Sequence, residues 1–380
     1  MGKRRISAAE LAVGSTMPWD AYDGEGRLLL RKGQMIASSN QIEGLIERGL
    51  YVETGLARDK TESGIPPDQE PPSVVRLVLE ARRRLQRICA LSAPDALKEN
   101  FPQQVFHIRE LIREACELSQ DVALATILLE HQGRYSIRHS VDAAIICHVV
   151  GTALGLREPE LSATVAAALT MNISMLELQD TLQAQASPLT AEQLQVIRNH
   201  PQQSAEMFRQ RGLADDIWIG AVLSHHEATD GSGYPSHKKG GEIPLPAQLV
   251  SLADIYCARI SNRDYRAPLR PNAALRAIFL DQGKVDKGLA HQFIKAVGVF
   301  PTGTPVRLEN GEIAVVTQRG ESANTPHVCS VVGPRGVPLA APIPRDTSRT
   351  FYAVREVVDW AELGALPSMQ ALWGNVGAIG

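Results

Sequence analysis

The chain has 380 residues, 44% of them hydrophobic and 21% charged, and this length accommodates two or three domains whose cores need no disulfides. Its formal net charge of −3 gives no electrostatic case for binding a nucleic-acid polymer. The five cysteines are odd in number and never spaced as Cys-x-x-Cys, which argues against a disulfide framework or a zinc ribbon and indicates a reducing, cytoplasmic location.

The N-terminus does not have the pattern of a signal peptide. Basic residues at Lys3–Arg5 are followed by Ile6–Glu10, where a signal peptide would need an uninterrupted apolar run. We also expect no later stretch to be long enough to span a bilayer. Arg82–Arg84 lies in an amphipathic pattern and is interpreted as a solvated face.

The first 73 residues predict a small domain and a linker. Residues 1–55 alternate in a β-like way around a hairpin turn signal at Tyr22–Gly26, and Gln41–Arg48 predicts a short helix. Residues 56–73 combine prolines with charged side chains and cannot bury a core. We therefore expect an α+β N-terminal module, then a linker.

Residues 74–300 predict a helical domain. Pro201 suits the first position of a helix that would follow His200, and Ser187–Thr190 supplies a cap for a helix over Ala191–Arg198. Apolar residues recur every three or four positions in four segments, which are Val75–Leu91, Val105–Leu118, Val141–Leu154 and Leu161–Leu169. An all-α helical bundle is the fold class that this periodicity favours.

Residues 301–380 predict a β-containing extension. Val306–Leu308 and Ile313–Val316 flank a turn at Glu309–Gly311, which is typical of a hairpin, and Val328–Val332 is a candidate third strand. The chain as a whole is therefore expected to be mainly α, with small β elements at both ends.

Adjacent histidines at 225 and 226 are the first candidates for metal ligands. Ile217–Leu223 predicts a buried helix before them, so the pair would end a helix that points into the core. Side chains from separate helices of a bundle can meet at one metal ion, which adds His200 and Asp254 to the candidates. A lone histidine in a helical pattern is more often structural, and we interpret five in this way, namely His107, His148, His237, His291 and His327.

The stretch from His225 to Pro235, with sequence HHEATDGSGYP, resembles the signature of the HD-GYP family. Its members are bacterial metal-dependent phosphodiesterases that open cyclic di-GMP. Five further segments match the family in order, which are Arg138–Ser140, Asn199–Pro201, Ala253–Tyr256, Arg263–Arg266 and Val297–Gly303. The resemblance covers about residues 110–335 and implies an HD-type helical bundle. Residues 1–55 are similar to the small module often found ahead of this domain.

The resemblance also identifies what this chain lacks. In the family a His-Asp pair supplies a ligand to one metal and a carboxylate that bridges two, and a nearby lysine faces substrate phosphate. Met171, Asn172 and Met175 stand at these three positions. Tyr135 stands where some members carry a glutamate that recruits a third metal.

The loss of the bridge bears on catalysis because two dications about 4 Å apart repel by about 16 kcal/mol at an effective dielectric of 20. The neutral Asn172 cannot offset this repulsion. The resemblance leaves His139 and Asp254 from one metal position. It leaves three ligands at the other, which are His200, His225 and His226. Three histidines plus water form an acceptable mononuclear site, so we expect one divalent ion there, Fe, Mn or Zn, or none.

By the resemblance, this chain retains the family's substrate-binding residues better than its metal ligands. Arg263 and Arg266 share one helix face and suit the phosphates of cyclic di-GMP, although a pair of solvated arginines is the structural alternative. Gly233 and Tyr234 belong to the loop Gly231–Pro235, which the family also uses to contact GGDEF domains. Tyr234 is equally compatible with a packed loop anchor.

Three hypotheses follow. The first is a degenerate HD-GYP protein of cyclic di-GMP signalling, acting as a nucleotide receptor or protein-interaction module with lost or impaired hydrolysis. The second is an active phosphodiesterase that forms pGpG or GMP with a reduced metal site. The third is a scaffold that binds only proteins. The sequence leaves the oligomeric state open.

Overall fold

The computed structural model describes residues 71–90, 101–262, 267–281, 283–364 and 367–379, together with short pieces between residues 3 and 53. The chain divides into two compact units. The helical unit comprises residues 74–128 and 133–301, and the strand-rich unit comprises residues 1–73, 129–132 and 302–380. The four-part division predicted from the sequence stays a prediction.

The helical unit contains ten α-helices among its described residues. They are α1 Val74–Ala90, α2 Phe101–Leu129, α3 Tyr135–Ala153, α4 Glu160–Thr170, α5 Leu176–Ala184, α6 Ala191–Gln210, α7 Asp216–Ser224, α8 Leu245–Ile260, α9 Pro271–Leu280 and α10 Lys287–Val297. A 3-10 helix, Ile173–Met175, joins α4 to α5, and another covers Gly240–Glu242. The last residue of α2 already belongs to the strand-rich unit.

The core of the helical unit is built around α3 and α4. These helices are buried on nearly every side, and Ala163–Thr170 of α4 is buried without interruption. A helix of this kind is stable only when other helices cover it all round. Trp218 of α7 is fully buried, and its indole Nε1 donates to Thr170 Oγ1 at 2.8 Å, which pairs its one polar atom.

The predicted helices are confirmed, with one correction. α6 begins after Thr190, whose side chain and that of Gln193 form a reciprocal capping box. The prediction that Pro201 starts a new helix is wrong, because α6 continues through Pro201 to Gln210. The sequence signal was ambiguous, since proline suits a first helical turn but is also tolerated inside a helix at the loss of one hydrogen bond.

The N-terminal strands confirm the predicted hairpin. They are β1 Lys3–Arg5, β2 Ala21–Tyr22, β3 Leu28–Leu30 and β4 Tyr51–Glu53, in the sheet order β1-β4-β2-β3. β2 and β3 pair antiparallel, and Asp23 Oδ1 accepts from the Arg27 backbone N–H at 2.8 Å to close the turn. The greater part of Gln41–Arg48 and residues 54–70, predicted as helix and linker, lie outside the described residues.

The C-terminal sheet is larger than the predicted hairpin. Its strands are β5 Pro305–Leu308, β6 Ile313–Gln318, β7 His327–Val332, β8 Pro338–Asp346 and β9 Val354–Val357, in the order β8-β7-β6-β5-β9. The first three confirm the predicted strands. β8 escaped prediction because it contains Pro338, Pro342 and Pro344, and proline is accommodated in a sheet mainly on an edge strand such as this one.

One helical stretch, Glu160–Ala184, is long and apolar enough to cross a membrane by length and composition alone. This corrects the expectation that no stretch would pass such a test. In the structure 56% of its most apolar window is buried, and the core helix of a globular domain passes the same test.

Candidate metal centre

The turn that follows α7 brings the histidine pair and the glycine-rich loop together. The loop folds back so that the Tyr234 backbone N–H donates to the His226 carbonyl at 3.1 Å. A Cβ built on Gly233 would lie 2.3 Å from the Ala228 nitrogen and 2.5 Å from the His226 carbonyl oxygen. Only glycine therefore permits this approach, which explains the residue type at the centre of the signature.

Glu227 fixes the other side of the same loop, a role that the sequence reasoning missed. Its two carboxylate oxygens accept from the backbone N–H groups of Ser236, at 2.6 Å, and Lys238, at 3.0 Å. The available sequence signal was a carboxylate directly after two candidate ligands at the end of a predicted buried helix. Such a carboxylate, when buried, must find donors in its own turn.

His200 and His225 are oriented in the same way by backbone carbonyls. The Nδ1 atom of His200 lies 2.6 Å from the Ile197 carbonyl oxygen, and that of His225 lies 2.6 Å from the Val222 carbonyl oxygen. A carbonyl can only accept, so each Nδ1 carries the proton, and each neutral ring keeps its lone pair on Nε2.

The two Nε2 atoms face each other at 3.2 Å. Two neutral rings with Nδ1 protonated have no proton to place between these atoms, so the contact joins two lone pairs. Two nitrogen ligands about 2.0–2.1 Å from a tetrahedral ion would lie about 3.3 Å apart. The arrangement fits a shared divalent cation.

His226 completes the set. One ligand atom from each of His200, His225 and His226 lies within 4.8 Å of the others, and this is the one group of three potential ligands of its kind among the described residues. The His226 ring stacks on Tyr234, with centroids 4.8 Å apart and planes 25° apart. The aromatic contact holds both the ring and the loop.

Burial keeps all three rings neutral. It lowers the pKa of His200 to about 3, with the neighbouring His225 as a further cause. The pKa values of His225 and His226 are lowered in the same direction, also chiefly by burial. Neutral imidazole is the form that binds metal, so protons compete weakly for these nitrogens at neutral pH.

The two residues that the resemblance assigns to the other metal position contact each other directly. His139 Nε2, on α3, lies 2.7 Å from Asp254 Oδ1, on α8. Burial would raise the pKa of Asp254, but the hydrogen bond and the charge of His139 hold it well below the usual range. The structure therefore brings together the two side chains that the resemblance assigned to one metal position.

Met171 and Asn172 directly follow α4, the helix that packs against both α3 and α8. Met171 is fully buried, and Asn172 is 2% exposed. Asn172 Oδ1 and His139 Nδ1 have no hydrogen-bond partner among the described residues. The thioether of Met171 is a soft ligand, and the neutral amide of Asn172 brings no negative charge to offset the repulsion between two dications, so the residues here do not fit a second ion.

The predicted substrate residues divide between described and undescribed parts of the chain. Gly233 and Tyr234 border the histidine cluster, as above. Arg263 and Arg266 lie outside the described residues. Met175 is half-buried at the end of its 3-10 helix, and Tyr135 is buried at the first position of α3.

Comparison with known proteins places this architecture in a class. Residues 122–289 match the family described as HD domain. The cyclic di-GMP phosphodiesterase PA4108 of Pseudomonas aeruginosa is 29% identical over 268 residues, which are 68% of this chain and 65% of that protein. The cyclic di-GMP phosphodiesterase PdeB of Borreliella burgdorferi is 26% identical over 200 residues, 52% of each chain. The chain thus spans between half and two thirds of these relatives.

Among solved structures, an HDG"Y"P protein of Bdellovibrio bacteriovorus is similar with a TM-score of 0.49 and 15% identity, over 78% of this chain and 99% of that one. The HD domain match and the named relatives, together with the signature at 225–235, confirm the resemblance found in the sequence. The chain therefore contains an HD domain, and these findings support an HD-GYP family member.

Proposed function

We propose that this chain is a degenerate HD-GYP protein of cyclic di-GMP signalling, which binds the nucleotide or a protein partner and has lost or impaired hydrolysis. The observation that carries the proposal is the burial of Met171 and Asn172 at the end of α4, where the resemblance places the His-Asp pair. The names of the relatives support cyclic di-GMP as the ligand.

His200, His225 and His226 are proposed to hold one divalent ion, Fe, Mn or Zn. The ion would supply Lewis-acid chemistry towards a phosphodiester. The residues of this chain would orient it, through the backbone carbonyls that hold the two Nδ1 atoms and through the Tyr234 stack. Gly233 and Tyr234 would border the nucleotide or the protein partner. Arg263 and Arg266 would bind the phosphates of the nucleotide.

The alternative function is an active phosphodiesterase with a single metal. The facing lone pairs of His200 and His225 favour it, because they fit one cation without help from the altered residues. The lost bridging carboxylate and the absent lysine at Met175 weigh against rapid turnover, since both would stabilise charge at the phosphoryl transition state.

Metal content and product formation separate the two functions. Purified protein would be loaded with iron, manganese or zinc in turn, and bound metal and released pGpG would be measured. We expect about one equivalent of metal and no turnover above the background of a His226→Gln variant. Two equivalents with sustained pGpG release would contradict the proposal, and one equivalent with release would establish the alternative.

Nucleotide binding separates the receptor from the scaffold. Calorimetry with cyclic di-GMP should give binding that weakens at least tenfold in the double variant Arg263→Ala and Arg266→Ala. The matched control removes two exposed arginines of α1, with Arg83→Ala and Arg84→Ala. Absence of cyclic di-GMP binding by the unmodified protein would exclude the receptor and favour the scaffold hypothesis. The partner of the scaffold, such as a GGDEF protein, would then contact Gly231–Pro235.

A further inference from the structure

We infer that Pro201 is a positioning residue for the metal centre, because it frees the Ile197 carbonyl to hold His200 with Nε2 turned towards His225. The inference deepens the proposed function and rests on it for the identity of the ligand. It assigns a role to a proline that lies inside a helix, where proline is otherwise unfavourable.

The connection follows from helix geometry. In α6 the Ile197 carbonyl would normally accept from the backbone N–H of residue 201. Pro201 has no N–H, and its ring crowds the carbonyl of the residue four positions earlier. The Ile197 carbonyl is therefore available, and His200 Nδ1 takes it at 2.6 Å.

His225 obtains the same orientation without a proline. Its Nδ1 donates to the Val222 carbonyl, which lies in the last turn of α7, where carbonyls lack a helical partner. His200 lies in the middle of α6, where each carbonyl normally has a partner. A proline one residue after the ligand creates mid-helix the free acceptor that a helix end provides.

The tautomer is the consequence for chemistry. With Nδ1–H fixed on a carbonyl, the Nε2 lone pair of His200 faces Nε2 of His225 at 3.2 Å. Without that acceptor, the ring can place its proton on Nε2 and close the position to a cation. Loss of such an outer partner of a ligating histidine typically costs 10- to 100-fold in metal affinity.

The test is Pro201→Ala, which restores the N–H. Long-range proton–nitrogen NMR of histidine-labelled, metal-free protein at pH 7.5 reports the tautomer of His200 directly. We expect Nδ1–H in the unmodified protein and a large Nε2–H population in the variant. Calorimetry with zinc alone should show a 10- to 100-fold weaker affinity for the variant.

Thermal denaturation separates positioning from damage. Alanine suits a helix interior better than proline, so the variant should melt at the same or a higher temperature while its zinc affinity falls. The control Pro188→Ala, at an exposed position before α6, should change neither tautomer nor affinity. An unchanged His200 tautomer in Pro201→Ala would overturn the inference. Absence of zinc binding by the unmodified protein would refute the metal site but leave the tautomer result to decide the role of Pro201.

Discussion

At the scale of single residues, Met171 and Asn172 bring no negative charge to the positions where the resemblance places a His-Asp pair. Each is buried, and His139 Nε2 lies 2.7 Å from Asp254 Oδ1. Asn172 Oδ1, which has no hydrogen-bond partner among the described residues, stands where the resemblance places a carboxylate oxygen.

The double substitution Met171→His and Asn172→Asp should therefore raise metal content from about one to about two equivalents per chain. The new carboxylate offsets the repulsion between two dications, and the new imidazole adds a ligand. Elemental analysis after loading with manganese measures this number. Asn172→Asp alone is the control, and it should destabilise the metal-free protein, since an unpaired carboxylate would be buried. Failure of the double variant to exceed one equivalent would contradict this account.

Gly233→Ala should unfold the signature loop. The added methyl meets backbone atoms of the 226–228 turn at 2.3–2.5 Å, and backbone cannot yield as a side chain would. We expect a loss of about 1–3 kcal/mol in the free energy of unfolding, together with loss of the His226–Tyr234 stack. Urea denaturation measures the first effect. Gly241→Ala is the matched control, because nothing lies within 4 Å of its Cβ, and equal stability of the two variants would refute the steric argument.

At the scale of elements, one carboxylate connects three of the five strands of the C-terminal sheet. Glu312, which is 7% exposed and precedes β6, accepts two hydrogen bonds of 2.8 Å from Arg345 of β8. It also accepts from Ser330 Oγ of β7 at 2.6 Å. The bidentate pair spans the strand that lies between its partners and fixes their register.

Glu312→Gln should destabilise this sheet at pH 7 by about 3 kcal/mol, the cost of breaking a buried pair. The hydrogen bonds from Arg345 and Ser330 lower the pKa of Glu312, so its stabilisation is fully present above the unfolded-state pKa near 4.3. It is lost as the pH falls through the lower folded-state pKa.

Urea denaturation at pH 7 and at pH 3 measures the free energy of unfolding of the variant and of the unmodified protein. The difference between the two free energies should be smaller at pH 3. The exposed Glu309→Gln is the control for loss of one charge nearby and should have little effect at either pH. A difference that widens in acid would contradict the assigned sign.

At the scale of the whole molecule, the histidine cluster couples folding to pH. Burial lowers the pKa of His200, His225 and His226 in the folded protein, whereas in the unfolded chain they titrate near pH 6.5. Below that pH the unfolded chain binds more protons, so the metal-free protein loses stability as the pH falls. Each histidine contributes up to about 1.4 kcal/mol per pH unit.

Urea denaturation of metal-free protein at pH 7.5, 6.5 and 5.5 should show this decline. His200→Gln should reduce the slope of the free energy of unfolding against pH by the equivalent of about one proton. The exposed His107→Gln should leave this slope unchanged. Zinc at 100 times its dissociation constant should add about 2.7 kcal/mol at pH 7.5 and less at pH 5.5, since protons then compete for the ligands. A slope that His200→Gln leaves intact would contradict the coupling.

How far the sequence predicted the molecule depended on the range of each signal. Helical periodicity and turn residues gave the helices and both hairpins, because these act over a few residues. Pro201 was assigned to the wrong position, and β8 was not predicted. Proline fixes φ and lacks an N–H in a first helical turn, in a helix interior and in an edge strand alike, so the residue itself does not indicate which setting it occupies. Only packing around each residue distinguishes these settings.

The sequence by itself predicted the resemblance to the HD-GYP family and the replacement of its His-Asp pair by Met171 and Asn172, since both depend on residue types in a fixed order. Tertiary structure decided what the remaining groups do. It brought together His200 and His225 from α6 and α7 and turned their lone pairs towards each other, and it joined His139 to Asp254. The reason is physical: a tautomer or a buried hydrogen bond depends on which acceptor lies within about 3 Å, and that distance is set by helix packing between residues far apart in the chain.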